Sequence, residues 1–463
     1  DWYLNLCLRL AEHSGAAVVK LLQWASSRPD LFGESFCAVF ERLQDRTTPH
    51  DLEHTERSLR EAYGEGWEDR IQLGEVLGSG CIGQVYKGVI QNEHGAEQEV
   101  AIKVMHPGIH GNIDADLDLL RFLASLAESI PFDIGERIQW LDLPGTVEEF
   151  ASLLTLQLDF RTEAENLRRF NENFANDDRI VFPELVESYD ARRDILVETF
   201  CEGQPVFTFL RENDADPSVR ANLCATAIDA VCRMIFDHNF IHGDLHPGNI
   251  LVCPRTHRFI LLDAGMVTEY DDDDHETIVQ ILTSFIRKDG RRAGELMISD
   301  SKARTSAASS VKGEHEVGSF RGLKGSRGAE ERVPGGSIVL HEEAYKDKIE
   351  ALTIQASGPE YFMEHLGTYV TYICNAASTH HVMMNPAFVS AALAVKVQEG
   401  VAIALDPSVE IWRIANPIIL QSEFRRNLYK LRDRVFGGML GLVPRTEDWE
   451  HAQDLASLGG LML

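Results

Sequence analysis

The chain has 463 residues, more than a single hydrophobic core usually supports, so two or more structural units are expected. Charged residues make up 25% of the sequence and hydrophobic residues 44%, which is typical of a globular protein and not of a disordered or membrane-spanning one. The net charge of −29 opposes recruitment to nucleic acid or anionic lipid, because both attract positive surfaces, and we predict no nucleic-acid partner.

The cysteines and the apolar stretches narrow the class of protein further. The cysteines form no Cys-x-x-Cys pair, so neither a zinc site nor a disulfide framework is indicated, and a reducing compartment fits. The chain starts at Asp1 without an apolar signal core, and we expect any targeting segment to lie upstream or to have been removed. Residues 365–395 contain no Asp, Glu, Lys or Arg, but their Asn and His residues predict a buried helical pair instead of a transmembrane span.

The first 62 residues have apolar side chains at helical spacing, which predicts a helical N-terminal extension over residues 1–70. Lys20 and Gln23 lie one turn apart on one of these helices and share a face. By itself, such a pair usually marks a solvated helix face.

From Ile71 the apolar period changes to two. Residues 75–90 predict two strands joined by a glycine loop, and residues 99–105 predict a third strand that carries Lys103. In a phosphate-binding hairpin, glycines let backbone N–H groups approach phosphates, and a lysine on the third strand contacts the α- and β-phosphates. A glycine hairpin without a ligand is the alternative. The loop positions that fit the pattern GxGxxGxV are Gly78, Gly80, Gly83 and Val85.

Two helices are predicted next, over residues 112–129 and 146–174. Asp159 and Glu163 lie one turn apart on the second, so we expect them to project from one face. Glu163 is the natural ion-pair partner for Lys103, and a Glu163 that merely faces water is the open alternative.

Residues 195–200 predict an edge strand, and the Cys-Glu-Gly that follows it predicts a hinge between two lobes. Residues 71–200 therefore form a first lobe, with inserted helices, and residues 201–300 a second. A helix over residues 218–239 leads into the most informative stretch of the chain.

Three polar residues of that stretch stand at the intervals of a kinase active site: Asp244, Asn249 and Asp263. Two predicted strands, 250–252 and 259–262, separate them. In kinases the first Asp orients the substrate hydroxyl, and the Asn and the second Asp hold Mg²⁺. Turn formation around Pro-Gly is the alternative, but it does not account for the intervening strands.

The segment after Asp263 distinguishes this chain from ordinary protein kinases. The acidic run 271–274 is interpreted as a helix N-terminus in preference to a metal site. No long activation segment and no Ala-Pro-Glu precede it, so the platform that docks a peptide has no counterpart. Residues 301–336 predict a disordered insert, and 337–463 a helical C-terminal extension that packs on the large lobe.

Several of these motifs resemble one family over nearly the whole chain. Residues 20–23 resemble a KxGQ motif, residues 103–109 a KVxHPGI signature, and residues 242–252 a catalytic loop. These are motifs of the UbiB family of atypical kinases, also called aarF-domain-containing kinases, and the resemblance is closest to a branch found in mitochondria.

The resemblance implies an α+β, bilobal, protein-kinase-like fold whose N-terminal helices cover the cleft, with Lys20, Gln23 and Asp159 as gating residues. It implies ATP or ADP and Mg²⁺ as cofactors. It also implies ATPase activity, or kinase activity toward a lipid or isoprenoid small molecule, in coenzyme Q or lipid homeostasis. Peripheral contact with the mitochondrial inner membrane is expected, and protein substrates are not.

Three positions depart from the family pattern. Leu22 replaces the glycine of KxGQ, which must alter helix packing. Gln157 stands at the first acidic position of an ExD motif and leaves Asp159 as its sole carboxylate. Gly80 stands where the family usually has alanine, so the preference between ATP and ADP stays open.

The predicted site therefore has defined roles. Lys103 holds the α- and β-phosphates, Glu163 orients Lys103, and Asp244 positions the attacking hydroxyl or water. Asn249 and Asp263 hold Mg²⁺. A nucleotide-binding pseudokinase that regulates a lipid-metabolic partner is the main alternative, and an ordinary Ser/Thr protein kinase is a third.

Overall fold

The computed structural model describes residues 2–11, 16–26, 34–40, 49–91, 95–128, 143–212, 216–310, 339, 341–355, 366–382, 384–406, 409 and 411–436. Its α-helices are α1 Trp2–Ala11, α2 Ala16–Ser26, α3 Glu34–Phe40, α4 Leu52–Tyr63, α5 Ile109–Glu128, α6 Leu143–Gln157, α7 Phe160–Asn173, α8 Val206–Glu212, α9 Pro217–Phe236, α10 Asp272–Ile286, α11 Gly290–Ser310, α12 Glu342–Gln355, α13 Leu366–His380, α14 Pro386–Leu405 and α15 Ile411–Phe436. Its strands are β1 Ile71–Ser79, β2 Gly83–Gln91, β3 Glu97–Met105, β4 Ile180–Val181, β5 Ile195–Thr199, β6 Gln204–Pro205, β7 Ile241–His242, β8 Ile250–Val252, β9 Phe259–Leu261 and β10 Val267–Thr268.

The first lobe is built on a four-stranded antiparallel sheet in the order β1-β2-β3-β5. Burial alternates along β2, as its period of two predicts, and β5 lies at the edge of the sheet as expected. Ladder hydrogen bonds hold these strands together. Apolar side chains on one face of the sheet, such as Tyr86, form a core with residues outside it, such as Trp67 and Tyr189.

The prediction of a single helix over residues 146–174 is wrong, because the chain forms two helices, α6 and α7, with a break at Asp159. Asp159 has extended backbone angles (φ −142°, ψ 101°), and its carboxylate accepts a hydrogen bond from the backbone N–H of Arg161 at 3.0 Å. It is the N-cap of α7. Asp159 and Glu163 therefore do not share a helix face. The apolar spacing continues across the break, which is why periodicity alone missed it.

The second lobe surrounds α9, most of whose side chains are buried, among them Ala227, Val231 and Ile235. A mixed sheet in the order β4-β9-β8-β6 and a two-strand pair, β7 with β10, lie beside this helix. The strands predicted at 250–252 and 259–262 are β8 and β9, which pair antiparallel. This hairpin carries Asn249 just before β8 and Asp263 just after β9.

The C-terminal helices α14 and α15 pack against α9 of the large lobe, as predicted. The Ser422 hydroxyl donates to the carbonyl of Phe236 at 2.6 Å, and Arg425 pairs with Asp237 at 3.3 Å. Helix α11 continues to Ser310 and so enters the predicted disordered insert, while residues 311–336 lie outside the described residues. Among the described helices, none is long and apolar enough to cross a membrane.

Candidate active site

Lys103 and Glu163 form a buried ion pair that links strand β3 to helix α7. Lys103 lies near the end of β3, paired with Val85 of β2 on one side and Leu196 of β5 on the other. Glu163 lies in the first turn of α7, and its Oε1 contacts the Nζ of Lys103. The residues are 9% and 3% exposed, so the predicted partnership is confirmed and the water-facing alternative for Glu163 is wrong.

The catalytic-loop residues are tied to one another by hydrogen bonds. The Asn249 side chain donates to the carbonyl of Asp244 at 3.0 Å, and the backbone N–H of Leu262 donates to the carbonyl of Asn249 at 2.9 Å. The N–H of Gly243 donates to the carbonyl of Met266 at 2.9 Å. The structure therefore brings Asp244, Asn249 and the segment around Asp263 together, as their spacing predicted.

His242 is a positioning residue that the sequence analysis did not assign. Its Nε2 donates to the carbonyl of Leu262 at 3.0 Å, so in the neutral ring Nδ1 accepts the N–H of Asp244 at 3.3 Å. Burial lowers the pKa of His242 and favours this neutral form. The ring thus joins the loop of Asp244 to the strand before Asp263. The signal for His242 in the sequence was its position two residues before Asp244.

Asp263 occupies the left-handed region of backbone space, with φ +57°. Its Oδ1 accepts from the N–H of Gly265 at 3.2 Å, and Asn166 of α7 donates to the carbonyl of Ala264 at 2.8 Å. Burial would raise the pKa of Asp263, but the charges of Lys103 and Lys20 lower it to about 2. Asp263 is therefore ionised at neutral pH.

The charge of Lys20 contributes, after that of Lys103, to the lowered pKa of Asp263. Helix α2 is held in place by Ala17, Leu21 and Trp24, which pack into the main core, and the Trp24 ring lies 5.8 Å from that of Phe150. The helix that carries Lys20 and the half-buried Gln23 is therefore fixed against the main core. The carboxylate of Asp159 is bound to Arg161, and the gating roles of all three residues stay predictions.

Leu22 has a different environment from the core-facing residues of α2. It packs against a small separate core formed by α1 and α3, which includes Leu4, Leu8 and Phe40. The side chain that replaces the glycine of KxGQ thus fills space between the N-terminal helices. The altered packing expected for this position lies on the α1 and α3 side of the helix.

The glycine loop is a tight hairpin between β1 and β2, in which Gly78 pairs with Val85 and the N–H of Gly80 donates to the carbonyl of Gly83 at 2.9 Å. A Cβ on Gly83 would lie 2.8 Å from the carbonyl oxygen of Val104, so packing against β3 already requires glycine there. A Cβ on Gly78 would meet nothing within 4 Å, which leaves that side open to a ligand.

Glu198 of β5 is a buried carboxylate that the sequence analysis missed. It is 4% exposed, and its Oε2 has no hydrogen-bond partner in the described part of the chain. The charge of Lys103 therefore interacts with three acids: Glu163, Glu198 and Asp263. Burial is the largest cause that raises the pKa of Glu198; Lys103 lowers this pKa, and Asp263 raises it further. A lone Glu in an apolar strand was a signal of such a site.

We expect Glu198→Gln to stabilise the protein by about 1 kcal/mol at pH 8, because it removes a buried carboxylate whose ionised form burial and Asp263 disfavour. A pKa that is higher in the folded than in the unfolded state makes stability fall as pH rises through the folded value. The gain from Glu198→Gln should therefore be larger at pH 8 than at pH 5. Urea unfolding at both pH values measures it, and equal or opposite differences would contradict this assignment.

Asn249 and Asp263 are suited to hold Mg²⁺. Asp263 is ionised, and Asn249 keeps its side-chain oxygen as an acceptor because its amide nitrogen donates to Asp244. Mg²⁺ prefers oxygen ligands and commonly takes only one or two from protein, with substrate phosphates and water supplying the rest. In the described ranges no group of three or more His, Cys, Asp or Glu could hold a metal by itself. Asp271 caps α10 through the N–H of Asp274 at 2.8 Å, as predicted.

Comparison with known proteins places these motifs in a family. A mitochondrial ABC1 family protein, YPL109C of Saccharomyces cerevisiae, is 26% identical over 93% of this chain and 69% of its own length. The "Probable protein kinase UbiB" of Histophilus somni is 28% identical over 64% of this chain and 54% of its own. The chain spans about two thirds of the length of its mitochondrial relatives. A solved Rv3197–erythromycin complex from Mycobacterium tuberculosis superposes with a TM-score of 0.42 and 20% identity, over 76% of this chain and 90% of its own.

Residues 42–297 match the family model described as "ABC1 atypical kinase-like domain", a range that takes in Lys103, Glu163, Asp244, Asn249 and Asp263. The range covers more than half of the chain and agrees with the kinase-like fold expected from the sequence. The chain belongs to the ABC1 atypical kinase-like family.

Proposed function

We propose that the protein is an ATP- or ADP-binding, Mg²⁺-dependent atypical kinase or ATPase whose phosphate acceptor is a small molecule, a lipid or water. One observation carries the proposal: Lys103 is paired with buried Glu163, and its charge helps to keep the buried carboxylate of Asp263 ionised. Phosphate binding requires a positive charge in a fixed position, which Lys103 supplies, and Mg²⁺ binding requires a fixed carboxylate, which Asp263 supplies.

Each residue then has a task. Lys103, oriented by Glu163, binds phosphate oxygens as a donor of charged hydrogen bonds. Asp244, held by Asn249 and His242, positions the attacking hydroxyl or water and receives its proton. When bound at Asn249 and Asp263, Mg²⁺ would neutralise charge on the phosphates.

The short connection after Asp263 supports a non-protein acceptor. Strand β10 follows almost at once, and α10 already begins at Asp272. Arg169 holds Glu269 in this connection through two hydrogen bonds of 2.7 Å, and Asn239 donates to the carbonyl of Tyr270 at 2.7 Å. A peptide would therefore have little free segment to dock on.

A role in coenzyme Q or lipid homeostasis at the mitochondrial inner membrane is the biological setting we propose. It is supported by the UbiB name of one relative and the mitochondrial labels of others. The partners expected from it are nucleotide and a lipid or isoprenoid small molecule, with peripheral contact to the membrane.

Single-turnover release of phosphate from radiolabelled ATP tests the activity. The reaction is run with Mg²⁺, with Mg²⁺ plus mixed lipid vesicles, with a generic Ser/Thr peptide, and with excess chelator. We expect Mg²⁺-dependent release or transfer that lipid increases and the peptide does not. Tight Mg²⁺-nucleotide binding without release would favour the pseudokinase alternative. Transfer to the peptide would favour a protein kinase.

A further inference from the structure

A chain of hydrogen bonds connects the N-terminal extension to the glycine loop, outside the residues that the reaction uses. It begins at His106, directly after β3. The backbone N–H of His106 donates to the carbonyl of Ile82 at 2.9 Å, and its ring Nε2 lies 2.9 Å from the carbonyl oxygen of Gly80. One residue thus holds two carbonyls of the loop that would contact phosphates.

The protons in this chain can be placed by elimination. A carbonyl only accepts, so Nε2 of His106 carries the proton and, in a neutral ring, Nδ1 accepts. Nδ1 of His50 lies 2.8 Å away and must donate to it. Nε2 of neutral His50 then accepts, and the Thr55 hydroxyl, at 2.8 Å, donates to it.

The remaining members close the network. Because the single proton of Thr55 is used, the Tyr86 hydroxyl donates to Thr55 at 2.7 Å, and the Gln84 amide donates to Tyr86 at 2.6 Å. The side-chain oxygen of Gln84 accepts from the backbone N–H of His50 at 2.9 Å. Every bond has one donor and one acceptor, so the network has one consistent arrangement with both rings neutral.

Burial and charge support that arrangement. Thr55, Gln84 and Tyr86 are at most 2% exposed, so these groups depend on one another for hydrogen bonds. Burial, and then the neighbouring His106 and His54, lower the pKa of His50 to about 4, with Asp51 acting in the opposite direction. Burial also lowers the pKa of His106. Both rings are therefore neutral at physiological pH.

We infer that His106 is a positioning residue for the phosphate-binding loop, and that His50 and Thr55 of the N-terminal extension fix the tautomer through which it acts. His50 and Thr55 would thereby control how the loop receives phosphates, without contacting the nucleotide themselves. This inference rests on the proposed nucleotide binding for its functional consequence. The geometry of the loop in the free protein tests it separately.

Two substitutions of His106 separate its two ring bonds. The Gln amide reaches the place of Nε2, so His106→Gln keeps a donor for Gly80. The Asn oxygen takes the place of Nδ1, so His106→Asn keeps the link to His50 and loses the loop bond. His54→Gln is the matched control, because the His54 ring binds the carbonyl of Met105 at 2.9 Å and not the loop.

Amide hydrogen exchange of residues 80–83 without nucleotide is the first readout, and the affinities for Mg²⁺-ADP and for adenosine are the second. For His106→Asn we expect faster loop exchange and about fivefold weaker ADP binding, the effect of one hydrogen bond, with adenosine binding unchanged. His106→Gln and His54→Gln should stay close to the unmodified protein. Thr55→Val should change both readouts in the direction of His106→Asn, by about twofold to threefold.

Unchanged loop exchange in His106→Asn would overturn the inference, as would an equal loss of ADP and adenosine binding. A normal loop in Thr55→Val would overturn the part assigned to the extension. If the unmodified protein bound neither ADP nor adenosine, the proposed function would fail, while loop exchange would still decide whether His106 holds the loop.

Discussion

Asp263→Asn should reduce Mg²⁺-dependent turnover by about a thousandfold, equivalent to roughly 4 kcal/mol of lost transition-state stabilisation. Asp263 is the acid that the charges of Lys103 and Lys20 keep ionised, and the amide removes the negative charge that attracts Mg²⁺. The substitution conserves shape, and the Asn oxygen can still accept from the N–H of Gly265. Turnover and Mg²⁺-dependent nucleotide binding should therefore fall while the fold is retained.

Asp271→Asn is the matched control for this prediction, since it makes the same chemical change at the start of α10. Asn caps a helix about as well as Asp, so neither stability nor turnover should change much. Near-ultraviolet circular dichroism of both variants checks folding, and single-turnover kinetics across a Mg²⁺ titration measures the effect. If Asp263→Asn retained the unmodified rate, the site assignment would be wrong.

Lys103→Met should cost about 3–5 kcal/mol in the free energy of unfolding, besides abolishing turnover. The substitution removes the ammonium that contacts Glu163 and leaves that carboxylate buried next to Glu198 and Asp263. Loss of activity alone would follow from any damage to a phosphate site. The simultaneous loss of stability is specific to the buried cluster of acids.

A double-mutant cycle isolates the cause. Adding Glu163→Gln to Lys103→Met should recover much of the stability, because the stranded charge is removed, whereas turnover should stay absent. Lys87→Met is the control: Lys87 pairs with Glu99 on the same sheet at 2.7 Å but is partly exposed, so its loss should cost about 1 kcal/mol or less. Urea unfolding of the unmodified protein, both single variants and the double variant gives the coupling energy, and Lys87→Met is measured beside them. Strict additivity of the two substitutions would contradict the coupling.

The sequence contained most of the candidate site because much of it is local. Asp244, Asn249 and Asp263 are separated only by one hairpin, and Lys103 lies on a short strand whose apolar run, Val100–Met105, is interrupted only by this one charged residue. Such short-range patterns fix which secondary structure carries each side chain. Glu163 was the expected partner of Lys103, but whether it pairs with Lys103 or faces water depended on how α7 packs beside β3.

What the sequence left undetermined depends on contacts between distant segments. The break at Asp159 is stabilised by a cap that competes with continuous apolar spacing, and the burial of Glu198 follows from the packing of β5 on β3. His50 and His106 meet only because the N-terminal extension lies against the glycine loop.

The sequence by itself thus determined the kinds of secondary structure and the chemical groups of the site. The tertiary structure decided how these groups are charged and which tautomers they adopt. The physical reason is that pKa values and proton positions depend on burial and on neighbours in space, which sequence spacing does not specify.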